Sequence, residues 1–233
     1  LIDVKTSIPC FVHITDGTVH DVNGLDLLKY ENGGFYVVDR GYLDFKRLFN
    51  IHKHGAYFIT RSRKKFAFTR ISSRKVEKKK GVLCDQTIKL NNFYPLSGYP
   101  KPFRRIRFYD KETDKRLIFL TNNFELPSED IALLYKYRWK IELFFKWIKQ
   151  HLKVKSFWGT TENAVRIQIY SAIITYTLIV VIKSKLKSLR SNYEILQILS
   201  ISLLDREPLK ELLANSVNQD VKELNCDQLK FDL

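Results

Sequence analysis

The chain has 233 residues, 45% of them hydrophobic and 13% aromatic, with a formal net charge of +15. That length buries a sizeable core and accommodates one domain with an insertion or two domains, and the charge makes nucleic acid the default partner. Cys10, Cys84 and Cys226 are odd in number, widely spaced and lack a CxxC pair, which excludes a disulfide framework or a zinc site and suggests a reducing cytosolic setting.

The charge is uneven. Residues 61–80 carry ten Lys or Arg against the single acid Glu77, whereas 205–233 carry seven acids against four bases, so the DNA-facing character belongs to the middle of the chain. No signal peptide is visible, and the absence of methionine leads us to expect a piece of a longer protein.

In chain order, Pro9–Thr15 is β-branched and aromatic and predicts a strand, followed by a turn at Asp16-Gly17. Val22–Tyr30 suits a short helix with Asp21 as its N-cap. Gly33–Asp39 is an apolar run expected to be a strand buried on both faces, ending in Asp39. Leu43–His54 has helical patterning stopped by Gly55, and Ala56–Arg61 is a second buried strand. This alternation argues for a layered α/β sheet. Four short alternating runs follow, Phe66–Ile71, Val82–Leu90, Phe103–Tyr109 and Leu117–Asn122, with a loop at Lys75–Lys80. A long helix is predicted from Ser128, as N-cap, to Lys153. A second runs from Glu162 to Lys187, and weaker helical segments occupy Tyr193–Leu204 and Pro208–Asn215. The apolar stretch Ile167–Ile182 spans 16 residues, short of a bilayer crossing, and is expected to be a buried helix.

The long helix carries the chemistry. With Tyr135 at zero on a helical wheel, Arg138 falls at about 300°, Glu142 at about 340° and Lys149 at about 320°, one arc of roughly 60°. Trp139, Lys146 and Lys153 extend this polar stripe, and Leu134, Tyr137, Ile141, Phe144, Phe145, Ile148 and Leu152 take another sector. One acid among cations and aromatics suits a metal-ligating carboxylate facing a phosphate backbone; a solvated surface with pairs such as Arg138–Glu142 is the alternative. Asp39 closes a strand where ligands collect in open α/β sheets, or else it caps the turn before Leu43. Facing carboxylates repel unless a cation sits between them, and Mg2+ or Mn2+ takes such oxygen ligands while retaining waters and phosphates. Arg138 and Lys149 would then bind phosphates, and Tyr135 could pack against sugar or base.

Tyr135, Arg138, Glu142 and Lys149 match the spacing Y-x2-R-x3-E-x6-K, and the chain resembles insertion-sequence DDE transposases with that signature. The resemblance extends to Ile14–Asp21, Asp39-Arg-Gly-Tyr42 and Leu120–Phe124 and covers residues 1 to about 185. It implies an RNase H-like mixed sheet flanked by helices, with a β-rich insertion and C-terminal helices. By resemblance the core occupies 1–63 and 126–187, a basic insertion 64–125 and a helical tail 188–233. It implies an enzyme that cuts transposon ends and transfers them into target DNA with Mg2+ or Mn2+, in a homodimeric complex on double-stranded DNA. The setting is cytoplasmic and bacterial, nucleoid-associated during action, without a membrane. Asp39 and Glu142 take the places of the second and third metal-binding catalytic acids, and Tyr135, Arg138, Lys149, Trp139 and Lys146 the DNA-binding positions. The family's first aspartate falls ahead of residue 1 together with the first core strand, and Asp3, Asp16 and Asp21 do not replace it, so the fragment is expected to be inactive alone. Another RNase H-like nuclease, or a non-catalytic DNA-binding remnant of a decayed transposase, are the other readings.

Overall fold

The computed structural model describes residues 1–62, 66–91, 97–152, 154, 156–202 and 207–214. Lys153, Leu204, Asn215 and Cys226, named from the sequence, lie outside the described residues. Two compact units are present, Leu1–Gln168 and Ile169–Leu233.

The first unit is built on a six-stranded mixed sheet of order β1-β2-β6-β5-β4-β3. Its strands are β1 (Phe35–Val38), β2 (Tyr57–Arg61), β3 (Phe68–Arg74), β4 (Val82–Leu90), β5 (Phe103–Asp110) and β6 (Lys115–Thr121). β1 and β2 are parallel, with Val38 opposite Thr60, and the remaining pairs are antiparallel. Since β6 pairs directly with β2, β3–β6 continue the same sheet.

Period-two alternation builds a core on each side of this sheet. Phe58, Phe103 and Leu120 face Leu48 and Ile51 of α1 (Phe45–Lys53), whereas Ile59, Ile106 and Phe119 face Ile131, Ala132 and Tyr135 of α2 (Ser128–Lys136). Each of the buried Leu, Ile and Phe side chains among these contributes roughly 1.5–3 kcal/mol. α1 starts where the Asp44 carboxylate accepts from the Arg47 amide, and it ends at Gly55, whose φ of 70° places it in the left-handed region.

Several expectations are corrected. Pro9–Thr15 forms no strand; its backbone pairing among the described residues is the isolated Ile2–Pro9 bridge and the bonds that Cys10 and Phe11 make with Leu1. A β-branched run is strand-like only when a sheet edge receives it. The segment Asp21–Leu27 is a 3-10 helix with His20, rather than Asp21, at the N-cap. β1 lies at the sheet edge and is not buried on both faces: Tyr36 is buried, but Phe35 is 40% exposed. Ser128 is the first residue of α2 and Pro127 takes the cap position, because the Ser128 hydroxyl is committed to Asp85.

The predicted long helix is two helices, α2 and α3 (Trp139–His151). Between them Tyr137 and Arg138 donate their amides three residues back, to Leu134 O and Tyr135 O, and Lys140 and Ile141 do the same to Tyr137 O and Arg138 O. This 3-10 step overwinds the chain, so a uniform wheel misplaces residues across it.

α4 (Glu162–Leu186) has 25 residues and by length and composition alone is long and apolar enough to cross a bilayer. The expectation of a buried helix fails: Ala172, Tyr176 and Ile179 are buried, but Ile167, Ile174 and Leu178 are more than half exposed. In the second unit, α5 (Asn192–Ser202) and α6 (Leu209–Ala214) follow, with Arg190 Nε donating to Leu213 O at 2.8 Å.

Candidate active site

Asp39 follows β1 at its carboxyl end and occupies the N-cap position of a 3-10 turn at Arg40–Tyr42. Its main-chain carbonyl accepts from the Tyr42 amide, but its side chain makes no capping bond. The carboxylate instead faces the helices: Oδ1 accepts from the Tyr135 hydroxyl at 3.3 Å and lies 3.5 Å from Arg138 Nε. Capping the turn, the alternative for this residue, is therefore not what the side chain does.

Tyr135 is on the inward face of α2, its ring 4.9 Å from that of Phe119 and only 8% exposed. Burial, and then the negative charge of Asp39, push its pKa up to about 12, so the hydroxyl stays protonated and donates. A buried ring is not available to stack on a base; only the hydroxyl end faces the site.

Arg138 sits at the 3-10 step. Its Nη2 binds Glu142 Oε1 at 2.7 Å one turn along, while Nε reaches Asp39. The guanidinium also lies 5.9 Å from the centroid of the Tyr135 ring. Burial disfavours the charge, but the bond to Glu142 and the negative charges of Asp39 and Glu142 outweigh it, and the pKa is raised. One guanidinium thus holds two carboxylates whose residues meet only through the fold.

The structure brings Asp39, Tyr135, Arg138 and Glu142 together. It does not bring in Trp139, Lys146 or Lys149, which are exposed on α3 and make no hydrogen bond or ion pair with either acid. Lys149 stands two turns beyond Glu142, about 10 Å along the axis. Asp3 is taken up by the Lys5 and Thr6 amides and Asp16 by Thr18. Among the described residues no three His, Cys, Asp or Glu side chains form a metal-holding group.

Sequence reasoning missed the device that positions these helices. Arg104, 1% exposed, forks onto Asp85 at 2.8 and 2.5 Å and donates onward to Leu126 O at 2.6 Å, Asn123 O at 3.3 Å and Ser128 Oγ at 3.1 Å. Ser128 in turn donates to Asp85 at 2.7 Å. Asn123 Oδ1 accepts from the Glu125 and Leu126 amides, and Asn122 bridges Phe58 N and Ala56 O. The segment Leu120–Phe124, which carried part of the resemblance, is thus the connector that fixes the start of α2. In sequence, an arginine on a strand reads as solvent-facing, and Asp85 alternates with Thr87 and Lys89 rather than with Ile88 and Leu90, so neither charge announces its burial.

A protein-family model described as "Transposase DDE domain" matches residues 1–178. The chain belongs to this family. It is 35% identical over 181 residues to the putative transposase y4zB of Sinorhizobium fredii, an alignment covering 76% of this chain and 50% of that protein. It is 34% identical over 181 residues to the probable transposase for insertion sequence element IS5377 of Geobacillus stearothermophilus, covering 74% and 45%. A putative transposase for insertion sequence element IS4SA of Synechocystis is 26% identical over 189 residues, covering 76% and 50%. The chain spans about half the length of the curated relatives it matches. The mixed sheet flanked by helices accords with the RNase H-like fold of DDE transposases, a family that generally uses divalent metal ions.

The donor set suits such an ion. Tyr135 and Arg138 occupy Asp39 Oδ1, and Arg138 occupies Glu142 Oε1; Oδ2 and Oε2 have no hydrogen-bond partner among the described residues. Two oxygen donors turned toward one positive charge, with the remaining positions left to water and phosphate, is the coordination Mg2+ accepts.

Proposed function

We propose that this chain is part of the catalytic domain of a DNA transposase that cleaves at transposon ends and joins them to target DNA. The observation that carries this reading is the pairing of Arg138 with both Asp39 and Glu142, which makes a carboxylate pair at the carboxyl end of β1. Asp39 and Glu142 would hold Mg2+ or Mn2+, and when bound there the ion supplies Lewis-acid charge stabilisation at the phosphoryl group under attack. The Tyr135 hydroxyl orients Asp39. Arg138 offers the scissile region a planar fork matched to phosphate oxygens. Lys146 and Lys149 neutralise backbone phosphates along α3, and Trp139, 52% exposed, supplies an aromatic face for sugar or base.

On this reading the partners are double-stranded transposon ends and target DNA, bound by a homodimer. The protein works in the bacterial cytoplasm, associated with the nucleoid when acting, without a membrane partner. Residues 1–63 and 126–187 are then the catalytic core, 64–125 is an insertion whose arginine-bearing β3 and β5 continue the core sheet, and 188–233 is the tail. On this reading the site needs a third acid beside Asp39 and Glu142, and the 233-residue chain is expected not to cleave by itself. A nicking assay on the cognate ends with Mg2+ tests this: no product is expected from this chain alone. Robust cleavage by the chain alone that survives Glu142→Ala would overturn the assignment.

A further inference from the structure

We propose that Arg138 is the internal counter-cation of the site, competing with a divalent ion for Asp39 and Glu142 until a substrate phosphate draws its guanidinium away. Metal and DNA then load together, each favouring the other. The proposal rests on reading Asp39 and Glu142 as metal ligands.

Charge gives the first support. With both acids ionised, one guanidinium leaves the trio at a net charge of minus one, so the pair is only partly neutralised. A divalent ion arriving beside Arg138 would reverse that to plus one, a state that one phosphate oxyanion balances. Metal without phosphate, or phosphate without metal, leaves uncompensated charge in a partly desolvated place.

Geometry gives the second. Arg138 approaches Glu142 to 2.7 Å but Asp39 only to a loose 3.5 Å. A phosphate offers the same fork two parallel acceptors. The acids are also the more open side of the cluster: the Asp39 and Glu142 side chains are 49% and 40% exposed, against 23% for Arg138. An ion arriving from solvent therefore meets the acids first, and the positive charge of Arg138 beside them opposes its binding until the guanidinium is drawn off. Finally, Arg138 stands at the 3-10 step between α2 and α3, where its amide bonds to Tyr135 O at 3.1 Å and its carbonyl accepts from Ile141 at 3.2 Å. It is thus at a joint rather than within an α-helical ladder, and such steps within helices often mark functional hinges.

Mn2+ binding followed by the electron paramagnetic resonance signal of the free ion tests the proposal on the 233-residue chain without DNA. Arg138→Gln is expected to bind Mn2+ roughly fivefold or more tightly than the wild type, within the usual range of site-to-site coupling, and Arg138→Lys to fall between. In the wild type, a short DNA duplex is expected to raise Mn2+ affinity beyond that of protein and duplex measured separately, and this gain is lost in Arg138→Gln. The wild-type measurement stands even if the glutamine variant fails to fold. Equal or weaker Mn2+ binding by folded Arg138→Gln, or no gain on adding duplex to the wild type, would overturn the counter-cation role. The Asp39→Asn, Glu142→Gln double variant separates the two levels. If it removes Mn2+ binding while Arg138→Gln changes nothing, only the competition fails. If it binds Mn2+ as the wild type does, or if the wild type binds none, the metal-ligand reading fails and the competition with it.

Discussion

The Tyr135 hydroxyl donates to Asp39 Oδ1 at 3.3 Å, joining residues 96 positions apart and fixing which way the carboxylate at the end of β1 points. The ring that carries the hydroxyl is packed on Phe119, so the orientation of Asp39 is set by the core beneath α2. Tyr135→Phe keeps this packing and removes only the donor. It is expected to change unfolding free energy by less than about 1 kcal/mol, measured by urea denaturation, while slowing end cleavage in a transposase that contains this domain. Wild-type cleavage by the phenylalanine variant would show that Asp39 needs no such orientation.

The Asp85–Arg104 pair is expected to dominate stability around the start of α2. Arg104→Met leaves Asp85 buried without its partner and should cost about 3–5 kcal/mol, whereas the Asp85→Leu, Arg104→Met double variant, which removes both charges, should cost clearly less. Urea midpoints measure both. Equal losses in the two would mean that the pair's desolvation is not what the single variant suffers from.

The same pair predicts a pH dependence. Burial alone would raise the Asp85 pKa, but the bonds from Arg104 and Ser128 and the positive charges nearby outweigh it and hold it below the ordinary carboxylate value. A depressed folded-state pKa stabilises fully above the unfolded value, near pH 4, and that stabilisation drains away as pH falls through the folded value. The stability gap between the wild type and Asp85→Asn should therefore be constant from about pH 7 to 5 and narrow below about pH 4. Parallel curves down to acid unfolding would contradict this.

Much of the strand and helix content was legible because its signals are local: the alternating run Val82–Leu90 agrees with the bounds of β4, and Gly55 stops α1 as its left-handed φ requires. The meeting of Asp39 and Glu142 was legible only through the spacing of charged residues and the resemblance. What could not be read depends on distant partners. The 3-10 step at Arg138 follows from fitting Tyr135 onto Phe119 while Arg138 reaches Asp39, and no propensity in Leu134–Glu142 announces it. Arg104 looks like a surface residue until β5 is paired with β4 and its head is seen to reach Asp85. Pro9–Thr15 has the composition of a strand and no sheet neighbour.

Lys149 is exposed and makes no ion pair among the described residues, as a backbone-neutralising residue would. If it binds one phosphate, Lys149→Ala should weaken duplex binding uniformly across sequences and lower the slope of log affinity against log salt by about one unit. Fluorescence anisotropy at several ionic strengths reads this out; an unchanged slope would place Lys149 off the DNA.

The most direct measurement of the site is paramagnetic broadening of backbone amide NMR signals by Mn2+ added to the 233-residue chain. If Asp39 and Glu142 hold one ion, the amides of Asp39–Tyr42 and of Arg138–Glu142 broaden together at the lowest Mn2+, and the effect disappears in the Asp39→Asn, Glu142→Gln double variant. Broadening that begins elsewhere, for instance at the acidic turn Asp110–Asp114, or that persists in the double variant, would contradict the assignment.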